Sequence, residues 1–154
     1  MSRAFVKEGE GEEGEPVAEL QLSPHRNLVT AAGLAQIQSN VDRLRGELSA
    51  AREAGDRAAL QRVQRDLRYW SARQNTAELV QPPTPGGRAR FGSLVRLAFA
   101  DGDEVAYRIV GEDEADPASG TISYVSPIGR ALIGRAIGET VPLRGGEAEI
   151  VALE

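Results

Sequence analysis

The chain has 154 residues, 41% of them apolar, enough for one or two small domains around a modest core and too few for a large multidomain enzyme. Its 18 basic and 23 acidic side chains leave a net charge of −5, which argues against a general electrostatic affinity for nucleic acid; the absence of cysteine removes disulfides, thiolate metal sites and a cysteine nucleophile together. The single histidine, His25, cannot build a multi-histidine centre, so only oxygen-ligand metal chemistry stays open. No apolar window approaches the roughly 18 residues needed to span a bilayer. These features predict a soluble, cytoplasmic protein with no membrane partner.

Charge is unevenly spread. Residues 1–28 carry three basic and six acidic groups, 29–81 eight and six, and 82–154 seven and eleven, so only the middle segment is net positive. From Glu8 to Glu15 five glutamates are interleaved with glycine, a composition that neither buries surface nor holds a helix, and residues 1–28 read as a disordered acidic tail. Gly9, Gly11 and Gly14 match the spacing of a dinucleotide-binding loop, but without the strand before and helix after that such a loop requires.

The middle segment, residues 29–80, has coiled-coil periodicity. Leu34, Ile37, Val41, Leu44, Leu48 and Ala51 alternate at spacings of three and four, and Leu60, Val63, Leu67, Trp70, Gln74 and Ala77 repeat the pattern. Thr30 is the expected N-cap of the first helix, Gly55 can end it in the left-handed conformation, and Asp56 can cap the second. The result is an antiparallel helical hairpin with its tip at Ala54-Gly55-Asp56. Arg43, Arg45, Arg52, Arg57, Arg62, Arg65, Arg68 and Arg73 read as its solvated flanks. Tyr69 and Trp70, at seam spacing, read as packing groups rather than base-stacking platforms.

Residues 81–88 hold Pro82, Pro83 and Pro85, which cannot continue a helix, and mark a linker to a second unit over 89–154. There the period becomes two: Val95, Leu97 and Phe99, a turn at Asp101-Gly102, then Val105, Tyr107 and Ile109. An acidic loop spans Gly111 to Gly120, a third strand Thr121 to Tyr124, and Ser126-Pro127 opens a short helix from Ile128 to Ile133. Two last strands, Thr140 to Leu143 and Glu147 to Leu153, turn around Gly145-Gly146. The expected class is α+β: a coiled-coil hairpin followed by a small antiparallel sheet with one short helix. No nucleophile–base pair, phosphate loop or metal cluster marks a free-standing enzyme.

The stretch Thr121-Ile-Ser-Tyr-Val-Ser-Pro-Ile-Gly-Arg-Ala-Leu-Ile-Gly134, with Tyr107-Arg-Ile-Val-Gly-Glu-Asp-Glu-Ala-Asp116 ahead of it, closely resembles the C-terminal domain of the GreA/GreB transcription elongation factors. The opening Met1 to Glu8 is similar to the start of some GreB-type proteins, and Ala51-Arg-Glu-Ala-Gly-Asp56 to the family's coiled-coil tip. The resemblance implies a factor that docks on bacterial RNA polymerase through an FKBP-like domain while its hairpin enters the secondary channel. Acidic tip residues then help hold a magnesium ion shared with the polymerase, which itself hydrolyses the backtracked transcript. Carried onto this chain, the tip ligand is Asp56, for catalysis and metal alike, and the docking residues are Ser126, Pro127, Ile128 and Arg130. No cofactor of its own is implied, contact with the DNA and RNA of the transcription complex is indirect, and the protein is expected to be a monomer.

The chain departs from the family pattern at three places. Where the family tip has a glutamate three residues after its aspartate, this chain has Ala59; where some members have an aspartate before Ser-Pro, it has Val125; and each arm is shorter by more than a heptad, about 10 Å. Two other readings therefore stay open: a non-cleaving competitor at the secondary channel, and a coiled-coil adaptor for another protein.

Overall fold

The structure, a computed structural model, describes residues 16–154; the acidic run from Glu8 to Glu15 lies outside them. Strand β1 (Asn27–Val29) leads into helix α1 (Ala31–Ala54), which α2 (Arg57–Thr76) follows antiparallel, and β2 (Ala77–Leu79) closes the hairpin. The second unit holds β3 (Leu94–Phe99), β4 (Glu104–Val110), β5 (Thr121–Ser123), α3 (Pro127–Leu132), β6 (Thr140–Leu143) and β7 (Gly146–Leu153). The architecture is α+β.

The hairpin forms as its periodicity predicts. Ile37, Val41, Leu44 and Ala51 of α1 are buried, with Leu34 and Leu48 half-buried beside them. The α2 seam meets them with Leu60, Val63, Leu67 and Trp70, all half-buried, because two helices alone leave one side of their seam open to water. Thr30 accepts the Gly33 amide at 3.0 Å, and Gly55, at φ 64°, ends α1 in the left-handed conformation.

The root differs from the sequence expectation. Asn27 and Leu28, read as tail, form β1, and Ala77, read as a seam residue, opens β2; the two strands pair in parallel, with Asn27 opposite Ala77 and Val29 opposite Leu79. Asn27 is the physical reason. It is buried, and its side-chain amide donates to the Arg73 carbonyl at 2.8 Å, in the last turn of α2 where that carbonyl lacks a helical partner. Extended backbone follows at Ala77, and Arg26 pairs with Glu78 across the strands at 2.5 Å.

The five-stranded sheet runs β5-β4-β3-β7-β6. Its inward side chains, among them Val95, Leu97, Ile109, Ile122, Val141 and Ile150, form one core with Leu132 of α3. The sheet is mixed, not wholly antiparallel as expected from the sequence: β5 lies parallel to β4, with Arg108 opposite Thr121 and Val110 opposite Ser123. The loop between them makes this possible, since its two single-turn 3-10 segments, Glu112–Glu114 and Pro117–Ser119, carry the chain back to enter beside β4 in the same direction. The last hairpin turns at Arg144-Gly145, one residue earlier than the glycine pair suggests, with Arg144 at φ 53° and its guanidinium 5.4 Å over the Phe99 ring.

Candidate functional site

Three places carry the candidate chemistry: the hairpin tip, its root and the start of α3. At the tip, Asp56 is exposed and is the N-cap of α2, its Oδ1 accepting the Ala59 amide at 3.0 Å. Asp56 thus spends one oxygen on a local role that any helix start rewards. Ala59 puts a half-buried methyl group at the position three residues on. Among the described residues no three His, Asp or Glu side chains gather as a group able to hold a metal ion. A metal ion at the tip would find Asp56 but no partner ligand at position 59, so the residues present do not form a metal site by themselves.

The root is where the two units meet, through the acidic 3-10 turn. Asp113 accepts from the Tyr69 hydroxyl at 2.7 Å through one oxygen and from Arg73 Nε at 2.5 Å through the other. Arg73 is 3% exposed, so it is no solvated flank, contrary to the sequence reading. Glu112 stands 3.8 Å away and adds a second negative charge to the same guanidinium. Burial, followed by the bond to the Asp113 carboxylate, pushes the Tyr69 phenol up to about 12, because its ionised form would be both desolvated and set against a negative neighbour.

Glu114 reaches the other helix. Its carboxylate accepts the Thr30 amide at 3.2 Å and the Thr30 hydroxyl at 2.5 Å, at the positive end of the α1 dipole. Gly33 is required by this approach, since a Cβ there would overlap the Glu114 carboxylate. Tyr124, at the end of β5, donates its hydroxyl to the Arg26 carbonyl just before β1, so the root is held on both sides.

At α3, Ser126 is the N-cap: its hydroxyl accepts the Gly129 amide at 3.1 Å and donates to the Ser123 carbonyl at 2.6 Å. Pro127 follows at the first helical position and is exposed, Ile128 is half-buried against the sheet core, and Arg130 points to solvent. Of the four docking candidates, Pro127 and Arg130 are the ones presented on the surface. The structure does not bring them to Asp56, which lies at the far end of a 24-residue helix, about 36 Å long.

Sequence reasoning missed Gly33, Tyr69, Arg73, Asp113 and Glu114 as a set. The only signal was compositional: an acidic turn following a strand and an arginine in the last turn of a helix, each of which is ordinary alone.

Residues 84–154 match the family model described as "Transcription elongation factor, GreA/GreB, C-term". The chain is 37% identical over 145 residues to transcription elongation factor GreA of Anaeromyxobacter sp. (strain K), covering 79% of this chain and 86% of that protein. It is 34% identical over 151 residues to GreA of Thioalkalivibrio sulfidiphilus, covering 82% and 96%. Among solved structures it aligns with GreA factor homolog 1 (Gfh1) of Thermus thermophilus at 21% identity and a TM-score of 0.41, covering 84% of this chain and 99% of that one. The extent and identity of the match to the two curated relatives, together with the family model over the sheet unit, place this chain in the GreA/GreB family of transcription elongation factors.

Proposed function

We propose that the protein regulates transcription elongation in the bacterial cytoplasm by binding RNA polymerase, its sheet unit docking through the start of α3 and its hairpin entering the secondary channel. The observation that carries this reading is the root: Asp113 ties Tyr69 and Arg73 of α2 to the sheet unit, so a docked sheet would aim the hairpin as one body. In this reading Pro127 and Arg130 meet the polymerase, Ser126 positions them by capping α3, and Ile128 anchors the helix to the core. Nucleic acid is approached only through the polymerase, and the protein contributes no hydrolysis of its own.

A second reading within the same binding mode is favoured by the tip. Asp56 already caps α2 and Ala59 offers no carboxylate, so a magnesium ion shared with the polymerase would gain at most one ligand here. This supports a non-cleaving occupant of the channel. The test uses backtracked elongation complexes with labelled RNA and a parallel binding measurement, with wild type, Asp56→Ala and Ala59→Glu. Binding without RNA shortening by wild type supports the occupant, and shortening by Ala59→Glu would identify the missing ligand. RNA shortened by wild type but not by Asp56→Ala would overturn the non-cleaving reading, and no binding at all would overturn both.

A further inference from the structure

The start of α1, the linker and the outer face of the sheet enclose a cavity of about 350 Å³ behind the root, in the lower part of the roughly 300–1,000 Å³ range of small-molecule sites. Alternation along β4 sets what faces it. Tyr107 and Ile109 point into the sheet core, so Arg108 and Val110 point to the opposite face, where α1 begins. Val110 is covered there, at 2% exposed, whereas Arg108, two residues back along the strand, stays open to solvent.

The walls are apolar and come from three parts of the chain: Ala31 and Ala32 from the hairpin, Val80 and Pro82 from the segment after β2, and Val110 from the sheet. Gly92, also at the wall, is buried, and a Cβ on it would stand 2.9 Å from Pro83, so the linker lies directly against the sheet here. Two charged side chains face the space, and they differ in what they have left to offer. Glu114 spends its carboxylate on the Thr30 amide and hydroxyl and on the Gly111 amide at 3.3 Å. Arg108 spends one nitrogen, donating to the Gly92 carbonyl at 2.9 Å, which holds the guanidinium beside the cavity. Among the described residues no carboxylate pairs with Arg108, so its other donors are left for an incoming anion.

We propose that this cavity binds a small organic monocarboxylate, its charged end on Arg108 and its apolar body against Ala32, Val80 and Val110. Such a ligand touches the hairpin, the linker and the sheet at once, so its binding is coupled to the seating of one unit on the other. Polymerase plays no part in this binding.

Hexanoate is the probe, added to the full chain while backbone amide resonances are followed by NMR; hexanol supplies the same body without the charge, and acetate the charge without the body. Hexanoate is expected to shift the Ala32, Val80 and Val110 amides saturably and to bind about tenfold more tightly than either comparison compound. Arg108→Gln removes the charge at an exposed position, and Ala32→Leu fills the cavity from an exposed position in the first turn of α1. Each should weaken hexanoate about tenfold or more while leaving the α2 and β7 resonances in place. The two changes lie in different units, so a fold disturbed by one leaves the other to decide. No saturable shift at millimolar hexanoate, equal binding of hexanol, or binding indifferent to both changes would overturn the proposal.

Discussion

Glu114 completes, from the sheet unit, the cap that Thr30 begins at the start of α1. In a local capping box the residue three after the cap supplies the carboxylate that returns to the cap's amide. Here that third residue is Gly33, and the carboxylate arrives from 84 positions away in the chain. The helix start and the seating of the hairpin on the sheet are therefore one interaction.

This relationship predicts a sign change. Alanine in place of glycine within a helix ordinarily gains up to about 1 kcal/mol. Gly33→Ala in the wild-type chain is expected to be neutral or destabilising, because the new methyl group displaces Glu114 from Thr30. In a Glu114→Ala background the same substitution should stabilise by up to about 1 kcal/mol. Urea denaturation of the four proteins of this double-mutant cycle checks it.

Removing Asp113 should cost more than removing any exposed charge of the hairpin. Arg73 is buried and Glu112, at 3.8 Å, is too distant to replace the lost bond, so Asp113→Ala is expected to destabilise by about 3 kcal/mol, within the range for breaking a buried ion pair. Arg43→Ala, which removes an exposed pair with Glu47, should change stability by less than about 0.5 kcal/mol. Thermal or chemical unfolding of both variants makes the comparison.

Tyr69 should keep its proton to high pH. A phenol raised to about 12 in the folded state stabilises the fold below its unfolded value, about 10, and that contribution fades as pH climbs from there through 12. In a spectroscopic titration the Tyr69 phenolate appears only near pH 12, and Tyr69→Phe removes that step while flattening the alkaline decline in stability.

At the tip, Asp56→Asn should leave stability unchanged, since asparagine caps as well, whereas Asp56→Ala should cost about 1 kcal/mol. Ala59→Glu should add a few tenths of a kcal/mol, its carboxylate reaching back to the Asp56 amide and strengthening the start of α2. Circular-dichroism melts of the three variants test both statements.

The elements governed by local spacing were readable from the chain. The hairpin seam as far as Gln74, the Thr30, Asp56 and Ser126 caps and the Asp101-Gly102 turn each depend on residues within four positions of one another, and each stands where the sequence puts it. What was not readable depends on distant partners. Asn27 is an unremarkable polar residue until the Arg73 carbonyl lies beside it, 46 positions on, and Arg73 looks like a solvated flank until Asp113 reaches it. The parallel entry of β5 escaped for the same reason, since alternation of apolar residues gives a strand its faces but not its direction. The candidate residues divide the same way: Asp56 at the tip and the start of α3 could be singled out from local spacing, whereas the root contacts between them, made by Tyr69, Arg73, Asp113 and Glu114, could not.

The side-by-side pairing of β1 and β2 makes the hairpin a module with a fixed socket. The chain leaves the socket at Val29 and returns to it at Ala77, and beyond the root contacts at Thr30, Gly33, Tyr69 and Arg73 the rest of the hairpin is an excursion whose length the sheet unit does not sense. Seven residues inserted into each arm near the tip would preserve the seam and the root bonds and move Asp56 outward by about 10 Å. Arm length in such a protein is thus free to vary in steps of two matched heptads, and reach can be retuned without redesigning the part that docks.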